Sequence, residues 1–162
     1  MLDISLVQIE VPDGCNVIIG QAHFIKTAED IYESIVSSVP GVQFGLAFCE
    51  ASGPRLVRCE ATNNDLKNLA GKAALLIGSG HSFIIYLQGA FPINILNALK
   101  NLSEVCQIYC ATANPVQVLV AQSDQGRGIL GVIDGYPPLG LETDSDVSAR
   151  RSFLRKIGYK QS

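Results

Sequence analysis

The sequence has little charge and few histidines. Lys and Arg number 12, Asp and Glu 15, and the formal net charge is −3. Phosphate backbones are held by concentrated Lys and Arg, so this balance argues against a nucleic-acid partner. The one basic cluster, Arg150, Arg151, Arg155, Lys156 and Lys160, reads as the solvated face of a terminal helix. No uncharged apolar run reaches about 18 residues, so no membrane-crossing helix is expected. The opening Met1-Leu2-Asp3-Ile4-Ser5 lacks the basic start and apolar core of a secretory signal. The 5 cysteines (Cys15, Cys49, Cys59, Cys106, Cys110) form no CxxC pair. Metal-ligand spacing is therefore missing, a disulfide framework is not expected, and the thiols read as small buried hydrophobes in a reducing cytoplasm. There is no internal repeat, no low-complexity segment and no linker.

Apolar residues, by contrast, are plentiful. They make up 48% of the 162 residues, against a charged share of 17%. The length suits one domain over residues 1–162 with a sizeable core. This composition supplies more apolar surface than a monomer of that size needs to bury, so a homo-oligomer is expected.

The periodicity alternates between strands and helices. Residues 6–11 and 16–19 read as strands joined through Pro12-Asp13-Gly14. Thr27 reads as an N-cap with Asp30 in a capping-box position, and Ile31, Ile35 and Val39 recur at helical spacing until Pro40-Gly41. Residues 42–48 alternate strictly and pair with residues 55–60 as a hairpin across Ala51-Ser52-Gly53-Pro54. A helix starts at Thr62-Asn63-Asn64-Asp65 and ends at Gly78, placed as a C-cap. Residues 82–87 are apolar on both faces and read as a central strand. Pro92 suits the first position of a third helix. Strands over 105–111, 116–121 and 129–133 follow, then a last helix over 146–157 closed by Gly158. The class this predicts is α/β, a single-domain mixed β-sheet flanked by helices in layers, with α+β as the alternative.

Gly78-Ser79-Gly80-His81-Ser82 places one of the two histidines between a helix and a strand. It is not a P-loop, since no Gly-Lys-Ser/Thr follows. It is not a dinucleotide fingerprint either, since those glycines run from strand to helix. What is left is the imidazole itself, which can act as nucleophile and proton carrier near pH 7. The competing reading is a glycine C-cap followed by an ordinary turn. His23 lies in a strand-to-helix loop with Lys26 and the helix start at Thr27, a plausible anion site. Its competing reading is a plain surface loop. Polar residues at strand ends form a third group: Glu50, Ser52, Thr112, Asn114 and Asp134. Asn114, before Pro115, could read a base or ribose edge, or could form a simple Asx turn. Glu50 or Asp134 could hold Mg²⁺, although no acidic cluster marks a metal site.

Six segments together resemble one family. They are Gly20-Gln21-Ala22-His23-Phe24-Ile25-Lys26-Thr27, Gly45-Leu46-Ala47-Phe48 with Glu50-Ala51-Ser52-Gly53, and Gly80-His81-Ser82-Phe83. Gly89-Ala90-Phe91-Pro92-Ile93-Asn94, Ala111-Thr112-Ala113-Asn114-Pro115 and Phe153-Leu154-Arg155-Lys156-Ile157-Gly158-Tyr159 complete the set. The chain resembles, over its whole length, the adenosine-specific kinases found largely in archaea and thermophilic bacteria. The resemblance implies a compact α/β subunit in a symmetric oligomer, a trimer or hexamer. It also implies binding of adenosine, AMP or ATP, and a phosphorylated histidine. Carried onto this sequence, that histidine is His81, with His23 as the alternative. ATP is the implied phosphoryl donor, with Mg²⁺ a candidate companion. Lys26 or Arg58 would screen charge, and Gly80, Ser82, Glu50, Ser52 and Asn114 would line the substrate site. The alternative is an oligomeric nucleotide sensor whose phosphohistidine is regulatory.

Overall fold

The computed structural model describes residues 1–161. Eight strands run in the order β1 (Asp3–Ile9), β2 (Cys15–Ala22), β3 (Gln43–Cys49), β4 (Val57–Ala61), β5 (Ser82–Gln88), β6 (Val105–Thr112), β7 (Val116–Gln122) and β8 (Arg127–Asp134). Helix α1 (Thr27–Ser38) follows β2, α2 (Asn64–Ile77) follows β4, the short α3 (Leu96–Lys100) precedes β6, and α4 (Asp144–Lys156) ends the chain.

The mixture of strands and covering helices is the expected α/β class. The finer finding is that the strands divide between two sheets and that every pairing is antiparallel. One sheet has the order β4-β3-β5-β2-β6, and the other is β1-β7-β8. The adjacent β1 and β2 do not pair. Instead β1 lies against β7, with Asp3 opposite Gln122 and Ile9 opposite Val116. The apolar run at residues 82–87 is indeed central, as β5 is the middle strand of five.

Alternation along the strands builds two cores, one on each face of the large sheet. Phe44, Leu46 and Phe48 of β3 and Phe83, Ile85 and Leu87 of β5 pack with Ile31 and Ile35 of α1 and Leu99 of α3. On the other face, Ala47, Ile84 and Tyr86 pack with Leu66, Ala70, Ala74 and Ile77 of α2. The small sheet closes that second layer through Ile9, Val116, Val118 and Val120. Tyr86 is buried, and its hydroxyl donates to the Glu10 carbonyl at 2.8 Å. That bond supplies the partner a buried phenol requires, and burial raises the phenol's pKa well above its usual range.

Both ends of α2 follow the local chemistry predicted for them. Asn63 caps α2 by accepting from the Leu66 N–H at 3.0 Å, and Gly78 closes it in the left-handed region at φ 61. The expected cap at Thr27 is corrected. Lys26 is the N-cap, and Thr27 is the first helical residue, fully buried. Its N–H and hydroxyl both donate to the Phe24 carbonyl. The Phe24–Thr27 turn therefore takes the side chain inward and away from the helix N–H groups. Asp30 does not complete a capping box; its carboxylate binds Lys26.

Candidate functional site

Antiparallel pairing brings distant segments to one end of the large sheet. Gln21 lies opposite Ser82, so the end of β2 meets the start of β5. The ladder continues one step further, where the Ala22 N–H donates to the His81 carbonyl at 2.9 Å. The His81 N–H in turn donates to the Cys49 carbonyl at 2.7 Å, at the end of β3. On the other side, Val105 of β6 lies opposite Ala22, and the His23 N–H donates to the Glu104 carbonyl at 3.0 Å. The two histidines, Glu50, Lys26 and Glu104 thus share one rim, although their positions in the chain are far apart.

His81 is held in an unusual way. Its φ is 63°, one of two positive values among the described non-glycine residues, the other being Arg55 at 53°. A side chain in this left-handed region costs about 1–2 kcal/mol, so the surrounding bonds must impose it. The two backbone bonds above do so, and the imidazole stacks on Phe48 with centroids 5.9 Å apart and planes at 13°. The ring is half-buried. The turn before it is tied down as well: the Ser82 hydroxyl donates to the Ser79 carbonyl at 2.7 Å, and the Ser79 hydroxyl donates to the Arg127 carbonyl at 3.2 Å.

The other histidine is freer. His23 is exposed, as is its neighbour Lys26. The Lys26 ammonium binds Asp30 one turn into α1 and stands 3.9 Å from the buried Glu104. The bond to Lys26 holds the Asp30 carboxyl below its usual range, and the same bond holds Lys26 above its own. Burial, and then the nearby Asp30, push Glu104 up. Arg58 donates to Glu50 at 3.1 Å, so this second predicted cation is also paired.

Beside the His81 turn, on the α2 side, opens a cleft of about 620 Å³. Its walls are the β3–β4 turn (Glu50, Ala51, Pro54, Arg55), the α2 end (Leu75, Gly78, Ser79, Gly80) and the β7–β8 turn (Gln125, Gly126, Arg127). Gly80 approaches Ala51 so closely that a Cβ there would lie 3.0 Å from the alanine methyl. Arg127 donates to the Leu76 carbonyl at 3.1 Å and to Gln122 at 2.8 Å, and so caps the C-terminal end of α2.

The predicted residues divide accordingly. His81, His23, Lys26, Gly80, Glu50 and Ser52 lie at this end, with Ser52 on the exposed hairpin turn. Ser82 is there too, but it is buried with its hydroxyl already donated. Asn114 is elsewhere: it follows the far end of β6, and its amide donates to Asp134 at 3.1 Å. Among the described residues, no group of three His, Cys, Asp or Glu side chains is arranged to hold a metal ion. The cysteines are free thiols. Sequence reasoning missed Arg55 and Arg127 at the cleft, and Glu104. The signal for the arginines was available: each follows a Gly-containing hairpin turn, where a side chain is displayed at a sheet end.

The two-sheet fold agrees with comparison to known proteins. The family described as adenosine specific kinase matches residues 7–160. The chain belongs to that family. A solved structure, the PH1918 protein from Pyrococcus horikoshii OT3, is 44% identical. It aligns over 100% of both chains with a TM-score of 0.96. No curated protein matches.

Proposed function

We propose that the chain transfers a phosphoryl group from ATP to adenosine by way of His81. The observation that carries this reading is the imposed left-handed backbone at His81, φ 63, with the ring stacked on Phe48. Strain of this kind persists where the position of a side chain matters more than its local cost. Family membership supports the substrate.

In the first step a lone pair on an imidazole nitrogen attacks the γ-phosphorus. An N–P bond forms as the bond to the bridging oxygen breaks, and ADP leaves with that electron pair. In the second step the 5′-hydroxyl of adenosine attacks the phosphorus. The P–N pair returns to the ring, the hydroxyl proton passes to solvent, and AMP is released. Lys26 lies on the α1 side of the rim, the side on which the imidazole stacks on Phe48, while Arg55 and Arg127 line the neighbouring cleft on the α2 side; these are the cations available to screen the transferring group. Mg²⁺ would arrive with the nucleotide, held mainly by its phosphates.

One observation favours a second reading, a sensor whose phosphohistidine is regulatory. Both predicted charge-screening cations, Lys26 and Arg58, are already paired with carboxylates. Incubation with ATP and adenosine separates the two. Steady release of AMP, many equivalents per chain, is expected for the transferase. Label that stops at one equivalent on the protein with no AMP overturns turnover and leaves the sensor.

We also propose that the chain assembles into a homo-oligomer, the trimer or hexamer that the family resemblance implies; the exposed apolar surface supports assembly without selecting the number of copies. Helix α4 contains no buried residue, and its Phe153 is exposed. Leu139 and Leu141 ahead of it are fully exposed, as are Leu2, Ile4 and Leu6 to a large degree. Exposed apolar area on this scale calls for a partner surface. Light scattering should give a mass that is a multiple of 17.3 kDa. A monomer at micromolar concentration would overturn the proposal. No helix among the described residues is long and apolar enough to cross a membrane.

A further inference from the structure

Glu104, between α3 and β6, is buried without a partner. Its side chain is 2% exposed. Neither carboxylate oxygen has a hydrogen-bond donor. The nearest cation, the Lys26 ammonium, is 3.9 Å from Oε2, which is beyond hydrogen-bond reach. That ammonium is instead bonded to Asp30. A buried anion left in this state would be costly, and such groups commonly keep their proton instead.

The surroundings show where that proton would point. From α1, Lys26 and Asp30 face Glu104, and Glu33 lies within electrostatic range of Lys26. From the β2–α1 loop, His23 reaches the Glu104 carbonyl with its backbone N–H. From β6, the Cys106 thiol lies 3.7 Å from the same carbonyl. The Lys26 ammonium binds Asp30 and stands 3.9 Å from Glu104, which places the Asp30 carboxylate as the acceptor beside Glu104, and the bond to Lys26 holds Asp30 below the usual carboxylate range.

We infer that Glu104 is held as a carboxylic acid donating to Asp30, and that its proton sets how strongly the histidine end of the sheet accepts an anionic ligand. With the proton in place, the pair carries one negative charge and Lys26 one positive. The cluster is neutral and the ammonium still faces outward. Ionising Glu104 adds a second negative charge beside Lys26 and makes the cluster net negative. Binding of a polyanion such as ATP then weakens, while binding of uncharged adenosine does not. Glu104 acts here through Lys26, as a positioning residue. The ligand half of this inference rests on nucleotide binding at this end, whereas the proton half does not.

The sign of the pH effect follows. Between the ordinary glutamate range and the raised value, the native state holds a proton that the unfolded chain has lost. Stability therefore falls as pH rises through that window. Glu104→Gln keeps an N–H donor to Asp30 and removes the slope.

Titration of carboxyl-labelled protein by carbon NMR, with ATP and adenosine affinities over about pH 5 to 9, tests both halves. One glutamate resonance should titrate well above the ordinary range, be missing in Glu104→Gln and move down in Asp30→Asn. As it ionises, ATP affinity should fall about tenfold relative to Glu104→Gln. Adenosine affinity should run parallel in the two proteins. If every glutamate titrates in the ordinary range, the inference is wrong whether or not nucleotide binds. If Glu104 titrates high but ATP affinity is parallel in both proteins, its link to the ligand is overturned. If ATP binds at no pH, the transferase reading fails while the proton assignment stands.

Discussion

Replacement of His81 by alanine should abolish ATP-derived labelling of the protein and lower AMP formation by about a thousandfold or more, because the nucleophile is gone. His23→Ala should retain the label, since His23 is exposed and makes only a backbone bond to the rim. The reverse pattern would transfer the role to His23. A third variant separates chemistry from strain. His81→Gly removes the left-handed cost that His81→Ala retains, while both lose the stack on Phe48. Urea melts should therefore find the glycine variant more stable than the alanine variant by about 1 kcal/mol. Neither should take label. Equal stabilities would mean that the backbone relaxes freely at this position and that its φ imposes nothing.

Gly45→Ala should be the most damaging small substitution in the fold. Gly45 lies in β3 between Ala61 of β4 and Tyr86 of β5, with α2 packed directly over it. A Cβ there would lie 2.2 Å from the Leu66 carbonyl carbon and 2.3 Å from the Lys67 nitrogen. These are backbone atoms, so no side-chain rotation relieves the contact. The helix must lift from the sheet, at a cost of about 3–5 kcal/mol. Gly71 offers a control of opposite sign on the same helix. A Cβ at Gly71 would meet only the Cys59 sulfur, at an ordinary 3.5 Å. Gly71→Ala should stabilise by about 0.5–1 kcal/mol through helix propensity alone. Thermal unfolding of the two variants checks both signs. A wild-type midpoint in Gly45→Ala would show that α2 does not rest on β3 as described.

The elements that were legible in the sequence are those whose determinants are local. The β3–β4 hairpin followed from alternation broken by Gly53-Pro54, and α2 from its Asn63 cap and Gly78 stop. The division into two sheets was not legible. Whether β1 joins its neighbour β2 or the remote β7 depends on which apolar faces meet, and alternation records a face without naming its partner. His81 was singled out for its place in the turn, yet nothing in Gly-Ser-Gly-His announces a left-handed histidine. Glu104 was invisible because Asn101-Leu102-Ser103-Glu104 has the composition of a solvated loop; its burial comes from α1 folding over it. Asn114 is placed by the topology rather than by its local sequence. It sits at a strand end before a proline, but at the end of the sheet opposite His81.

The route of the chain also sets an order of assembly. All five strands of the large sheet lie in one continuous stretch, residues 15–112, and every residue on the histidine rim belongs to it. The first strand made, β1, has no partner until β7 exists, more than a hundred residues later. Closing so long a loop comes late, since its entropy must be met before its contacts form. The rim can therefore take shape while the amino terminus is still loose, and docking of β1 is the event that seals the α2 face beneath it.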